Sequence, residues 1–129
     1  MVHCCSGRTG QFHAWEYDGF TPNIQVLGKG LGAGEHAIAA VFCNERVVND
    51  SHKSPGRLAH GFMFQNNAVG CASACAFISI LRRDMILENV KSLAPRLIRG
   101  LRKGLSDHPF VGDARGVRIF VAVSYPQPF

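Results

Sequence analysis

The sequence lacks a long apolar run. Its longest stretches, such as Ala37 to Cys43, fall far short of the roughly 18–20 residues a membrane-crossing helix needs. Met1-Val2-His3-Cys4-Cys5-Ser6 has neither the basic nor the apolar stretch of a secretory leader. A soluble intracellular chain, cytoplasmic or mitochondrial, is therefore expected, with no membrane partner. Charge is also sparse, at 18% of residues against 47% hydrophobic, which excludes the composition of a disordered chain. No repeat and no Gly-X-Y period suggests a solenoid or a fibre. Cysteine is present five times, an odd number that cannot pair completely, and no C-x-x-C or C…H spacing of zinc-site type occurs. The thiols read as reduced and acting as small apolar residues, and no metal site is expected.

What is present is enough for one ordinary domain: 129 residues, able to bury a core without staples. Fourteen Lys and Arg against nine Asp and Glu give a formal charge of +5. That balance suits a nucleic acid or an anionic metabolite without choosing between them.

Residues 1–23 are rich in turns, with Gly7, Gly10, Gly19 and Pro22 separating short apolar pieces. Ile24 to Leu27 reads as a buried strand and runs into Gly28-Lys29-Gly30-Leu31-Gly32-Ala33-Gly34. Ala37 to Cys43 reads as a second strand. Glu45 to Asp50 suits a short helix capped by Asn44, and Ser51 to Arg57 a loop. Asn67 is a good N-cap for a helix over Ala68 to Asp84, whose small residues allow close packing. Leu87, Val90, Ala94, Leu97, Ile98, Leu101 and Leu105 repeat at helical spacing, which predicts a second helix over 87–105, kinked or split at Pro95. Val117 to Val123 reads as a last strand. This alternation indicates an α/β fold. A seam near Asp84 to Leu87 would divide it into 1–84 and 85–129, the second part too short, at about 45 residues, to stand alone.

Lys29 is the residue to explain. It ends an apolar strand among four alternating glycines, which permit close approach of a bulky planar group. A lysine partly desolvated at a strand end supplies the neutral amine that carbonyl condensation needs. Dinucleotide and phosphate loops fail on spacing: G-x-G-x-x-G would need glycine where Ala33 stands, and a Walker A loop would need glycine at Asn23 and Ser or Thr at Gly30. On the residues alone the plain reading is a glycine-rich turn with an exposed lysine.

Five blocks in order change that reading: Gly7-Arg8-Thr9-Gly10, Glu16-Tyr17-Asp18-Gly19, Thr21-Pro22-Asn23-Ile24, Gly28 to Gly34, and Val111-Gly112-Asp113-Ala114-Arg115-Gly116. With His60-Gly61-Phe62, the small-residue helix after Asn67 and Leu87-Glu88-Asn89-Val90, they resemble the class III pyridoxal-phosphate aminotransferases over roughly residues 7–123. The resemblance implies a fold-type-I transferase piece: 1–84 from the end of the large cofactor domain, 85–129 from the start of the small one. It implies pyridoxal 5'-phosphate as cofactor, held by a Schiff base on Lys29, and transfer of an amino group from an amine or ω-amino acid to a 2-oxo acid. Val2 would lie against the pyridine ring. Gly61, Phe62 and Met63 would reach the neighbouring subunit's cofactor phosphate across a homodimer interface.

Several positions depart from the family pattern. The aspartate that pairs with the pyridine nitrogen would precede Met1. Met63 stands for a phosphate-binding threonine, Ala68 for proline, Glu35 for an aromatic, Arg118 for glycine and Ser124 for an acidic residue. The family's first phosphate turn and its carboxylate-binding arginine fall outside the stretch, so a truncated central-to-C-terminal piece is expected, with its activity in isolation left open. Two other classes remain open: a non-catalytic pseudo-subunit of an intact aminotransferase, and a small basic nucleic-acid-binding module. For the latter, Arg96, Arg99, Arg102 and Lys103 could form a phosphate stripe. Without aromatic interleaving they read instead as a solvated helix face, so no nucleic-acid partner is expected. Arg8, Thr9 and Arg115 read as structural, His60 as a surface histidine. His13, His36, His52 and His108 are given no role.

Overall fold

The computed structural model describes residues 6–53, 61 and 63–125. The chain opens with a tight loop in which Ser6 N donates to the Phe12 carbonyl at 3.0 Å and Gly10 N to that of Gly7 at 2.8 Å. A 3-10 turn over Ala14–Tyr17 follows, started by His13 N donating to Glu16 Oε1 at 2.8 Å.

Strand β1, Ile24–Leu27, pairs antiparallel with β2, Ala40–Cys43, with Ile24 opposite Cys43 and Leu27 opposite Ala40. The second strand is thus shorter than its apolar run, and β1 is buried on one face only. Gln25 and Leu27 point inward, while Ile24 and Val26 remain 55% and 45% exposed. A half-buried antiparallel strand buries alternate residues, and here one inward position is polar.

Helix α1, Glu45–Lys53, starts where Asn44 Oδ1 accepts from Val47 N at 3.0 Å. It runs a turn beyond the expected Asp50, so Ser51 to Lys53 are helical rather than loop. Ser51 Oγ bonds back to the Val47 carbonyl at 2.8 Å, and Lys53 pairs with Asp50, both supporting that last turn. The remainder of the expected loop lies outside the described residues.

Helix α2, Ala68–Arg83, is capped by Asn67, whose Oδ1 accepts from Gly70 N at 2.9 Å. Its small residues do what their size allows: Gly70 and Ala74 are buried, and a Cβ on Gly70 would stand 3.2 Å from His36 Nδ1. The chain reverses at Asp84 and Met85 into α3, Ile86–Leu105, which is a single helix through Pro95 rather than two. Proline removes only the donor to the Lys91 carbonyl. Pro95 lies on the exposed side of the helix, where water can take that donor's place.

The single strand expected over 117–123 is a hairpin instead. β3, Asp113–Val117, and β4, Phe120–Ser124, pair antiparallel about the two-residue turn Arg118-Ile119. Gly116 is obligatory there, since any Cβ would collide with the Phe120 carbonyl oxygen and lie 2.7 Å from Val121 Cα. α3 packs on α2 and on β3, and Arg102 Nε donates to the Ala114 carbonyl at 3.1 Å.

The opening loop laces onto this second part. Gly10, at φ +75°, lets the chain pass α3 so closely that a Cβ would stand 2.8 Å from Lys91 Cγ. Ile119 N donates to the Arg8 carbonyl at 3.2 Å. The Arg8 carbonyl thus ties the opening loop to the turn between β3 and β4.

Candidate active site

Lys29 opens a 3-10 turn, Lys29–Gly32, that links β1 to the approach to β2. The turn is clamped at both ends. Leu27, completely buried, and Leu31, 4% exposed, form the core with Ala74, and Phe12, Ile38, Ala40 and Ile78 pack around them. Burying a leucine contributes about 1.5–3 kcal/mol, so the backbone on both sides of Lys29 is held by this buried cluster. Leu31 N donates to the Gly28 carbonyl and Ala33 N to that of Gly30, at 3.2 and 3.1 Å. From α2, Ser73 Oγ donates to the Gly32 carbonyl at 3.1 Å.

This clamp holds Lys29 at φ +49° and Ala33 at φ +56°. A non-glycine residue in the left-handed region costs on the order of 1–3 kcal/mol and persists only where the surroundings impose it. The side chain of Lys29 is exposed, which corrects the expectation of a partly desolvated amine. The strand ends at the surface, and the core holds only the leucines on either side. The glycines nearest Lys29 are not there because the chain is crowded. A methyl at Gly28 would meet nothing closer than 3.9 Å, and one at Gly30 nothing closer than 3.5 Å. Gly32 is different, as its methyl would press on Ile38 Cγ2 at 3.1 Å. Bare backbone thus flanks the lysine on both sides, and a planar aldehyde-bearing group fits beside an accessible amine there.

The other expected cofactor contacts are less built. Gly61 is exposed, and Met63, 93% exposed, opens the turn that leads to Asn67 and α2. A thioether has no hydrogen to donate, so only backbone N–H groups can serve an anion at Met63. Val2, Phe62 and His60 lie outside the described residues.

One cluster beside β1 escaped the sequence reading. Trp15 Nε1 donates to Gln25 Oε1 at 3.1 Å, and Gln25 Nε2 lies 2.8 Å from His13 Nδ1. An indole N–H can only donate, which fixes the Gln25 carbonyl toward Trp15 and its amide N–H toward His13. In that arrangement Gln25 Nε2 donates to His13 Nδ1. The His13 ring also stacks on Trp15, with centroids 5.2 Å apart and planes 12° from parallel. The usable signal was Gln25 itself, a polar residue on the same strand face as Leu27, which needs partners if buried.

Charges elsewhere are surface features. Arg115 pairs with Asp113 at 3.0 Å with both side chains exposed. Arg83 grips Asp84 through Nε and Nη2 at 2.7 and 2.9 Å, and this hydrogen bonding holds the Asp84 carboxyl below its ordinary value. Cys43, Cys71 and Cys75 are free thiols and exposed, not the packed small residues expected. Among the described residues no three His, Cys, Asp or Glu side chains gather as metal ligands, and no helix is long and apolar enough to cross a membrane.

The same arrangement of helices and strands recurs in solved transaminases. An (S)-enantioselective omega-transaminase from Thermomicrobium roseum superposes with a TM-score of 0.89 at 25% identity, over 98% of this chain and 28% of that one. An omega transaminase from Pseudomonas jessenii, solved with PMP, gives 0.84 at 33% identity over 95% and 27%. In sequence, an aminotransferase of Gibberella zeae is 38% identical over 96% of this chain and 24% of its own length. The putrescine–pyruvate aminotransferase of Pseudomonas aeruginosa is 34% identical over 95% and 26%. The model of the aminotransferase class-III family matches residues 2–129, and the chain belongs to that family. It spans about a quarter of the length of these relatives.

Proposed function

We propose that this chain is the lysine-bearing portion of a pyridoxal-phosphate-dependent aminotransferase, with Lys29 as the covalent anchor of the cofactor. The observation that supports this best is the strained Lys29 backbone, clamped between Leu27 and Leu31 and bordered by bare glycine backbone. Such a clamp fixes where the lysine leaves the surface, and backbone strain imposed by the surrounding packing concentrates at ligand sites. When bound, pyridoxal phosphate supplies a ring that withdraws electrons from the amino-bearing carbon. Lys29 Nζ would hold the aldehyde carbon and, once displaced by the incoming amine, carry a proton between the amino-bearing carbon of the donor and that aldehyde carbon.

Val2 would face the ring, and the Gly61–Met63 backbone would donate to the phosphate of a second subunit in a homodimer. In this reading 1–84 belong to the large cofactor domain and 85–129 to the small one. Relatives named for putrescine and pyruvate, ornithine, and taurine and pyruvate favour an amine or ω-amino acid as donor and a 2-oxo acid as acceptor.

The test is to incubate the chain with pyridoxal phosphate, reduce with borohydride and map the labelled peptides. Label concentrated on the peptide holding Lys29, and lost in Lys29→Ala, is the expected result. Label spread evenly over Lys29, Lys53, Lys91 and Lys103 would overturn it.

A further inference from the structure

Cys71 and Cys75 stand on α2 one helical turn apart, and both are exposed. Cysteine is ordinarily among the most buried residue types, so packing does not account for two thiols at the surface of one helix. Residues four apart share a helix face, with their Cβ atoms about 5–6 Å apart, and the tilt of the Cα–Cβ bond turns Cys75 back toward Cys71. Ala68, Ala72 and Ser79 share that side of α2, so no large side chain of the helix stands over the pair. Ser79 Oγ is turned back to the Cys75 carbonyl at 2.8 Å.

The spacing that aligns the thiols also keeps them from joining each other. A disulfide needs Cβ atoms about 3.5–4.5 Å apart, closer than an intact helix sets them at this separation. An ion lying between the two sulfurs makes up the difference. Which ion follows from the number of ligands. Among the described residues no third His, Cys, Asp or Glu gathers with this pair. Zinc takes four ligands, and calcium and magnesium take oxygen. Copper(I) is soft, is satisfied by two thiolates in a line, and is selected by that ligand type. The resulting complex carries one negative charge, and α2 has no acidic residue to oppose it.

We propose that Cys71 and Cys75 bind one copper(I) ion between their sulfurs. Two thiol protons leave as the two sulfur–copper bonds form, and no electron is transferred. Both ligands come from one helix, so the site needs no other part of the fold. It lies on the side of α2 opposite Ser73, which holds the Gly32 carbonyl, and is independent of the role given to Lys29.

The full chain, reduced and kept free of oxygen, is titrated into copper(I) held by bicinchoninate, whose colour is lost as the protein takes the ion. Uptake of one ion per chain is expected, with no change in sedimentation. It should persist when Cys4, Cys5 and Cys43 are together replaced by serine. In Cys71→Ser and in Cys75→Ser the affinity should fall at least roughly a hundredfold. Cys75→Ser combined with Ala76→Cys keeps the number of thiols but swings one by about 100° around the helix, and should bind as poorly as the single variants. A parallel titration with zinc(II) should show no comparable uptake. The proposal is overturned by no uptake at all, by uptake that survives in either single variant or in the shifted pair, or by uptake lost with Cys4, Cys5 and Cys43. Zinc held as tightly as copper, or one ion bridging two chains in sedimentation, would overturn it equally.

Discussion

Ser73 Oγ, in the middle of α2, donates at 3.1 Å to the carbonyl of Gly32, three residues after Lys29. It is a tether between a helix and the turn that presents the lysine. The Gly32 carbonyl also accepts from Glu35 N at 2.9 Å, so removing the hydroxyl does not leave it without a partner. Ser73→Ala should therefore cost about 0.5–1 kcal/mol, the low end for a hydrogen bond. Urea melts followed by circular dichroism would measure it, and a loss above about 2 kcal/mol would show that the tether holds more than this one bond.

How much of this was legible in the sequence depends on whether the deciding signal was local. Asn67 announces α2 because a cap acts within three residues, and Asn44 announces α1 in the same way. The leucine, valine and alanine spacing of α3 shows through Pro95, since one missing donor costs less than the packed face contributes. The hairpin was hidden. Its turn, Arg118-Ile119, contains no Gly, Asn or Asp, and Gly116 sits inside the strand instead of at the bend. The exposure of Lys29 was legible only as one of two readings, an exposed turn lysine or a partly desolvated amine, because periodicity says which residues alternate but not where a strand surfaces. Lys29 itself stood out through its glycines and the blocks around it. The Trp15–Gln25–His13 cluster did not, because its members are brought together only by the fold.

Arg118 tests whether an unusual turn residue is tolerated or useful. It sits at φ +57°, where a two-residue hairpin turn usually places glycine, and its Nε lies 3.3 Å from the Tyr17 hydroxyl. Arg118→Gly loses a long, partly exposed bond and relieves about 1 kcal/mol of backbone strain, so it should be neutral or slightly stabilising. Arg118→Ala loses the bond and keeps the strain, and should be the less stable of the two by about 1 kcal/mol. Thermal melts of the pair decide the matter. If Ala equals or exceeds Gly, strain is not what the turn carries.

Asp84 makes a pH prediction with a fixed sign. Hydrogen bonds from Arg83, and then its charge, lower the carboxyl below its ordinary value of 3.8. A carboxyl lowered in the folded state adds stability above that ordinary value and loses it as pH falls through 3.8 toward the lowered one. The pair is fully exposed, so the effect is small and screened by salt. Asp84→Asn should flatten the fall in melting temperature between about pH 5 and about pH 3, and only at low ionic strength. An equally steep fall in the variant would place the acid sensitivity in other carboxylates.

Gln25 offers the sharpest test of the buried cluster. It is 8% exposed on β1, four residues before Lys29, and satisfies both the Trp15 indole and His13 Nδ1. Gln25→Leu keeps the volume but leaves the indole N–H without an acceptor and His13 without its donor. That should cost about 1–3 kcal/mol, more than the bonds themselves are worth, because the stranded groups remain half-buried. Adding Trp15→Phe to Gln25→Leu removes one stranded donor, so the double variant should be less destabilised than the sum of the singles. Trp15 is the only tryptophan, so fluorescence in Gln25→Leu reports the lost partner directly. Additive costs in the double variant would mean that Trp15 and Gln25 stabilise β1 separately, through packing rather than through the bond that joins them.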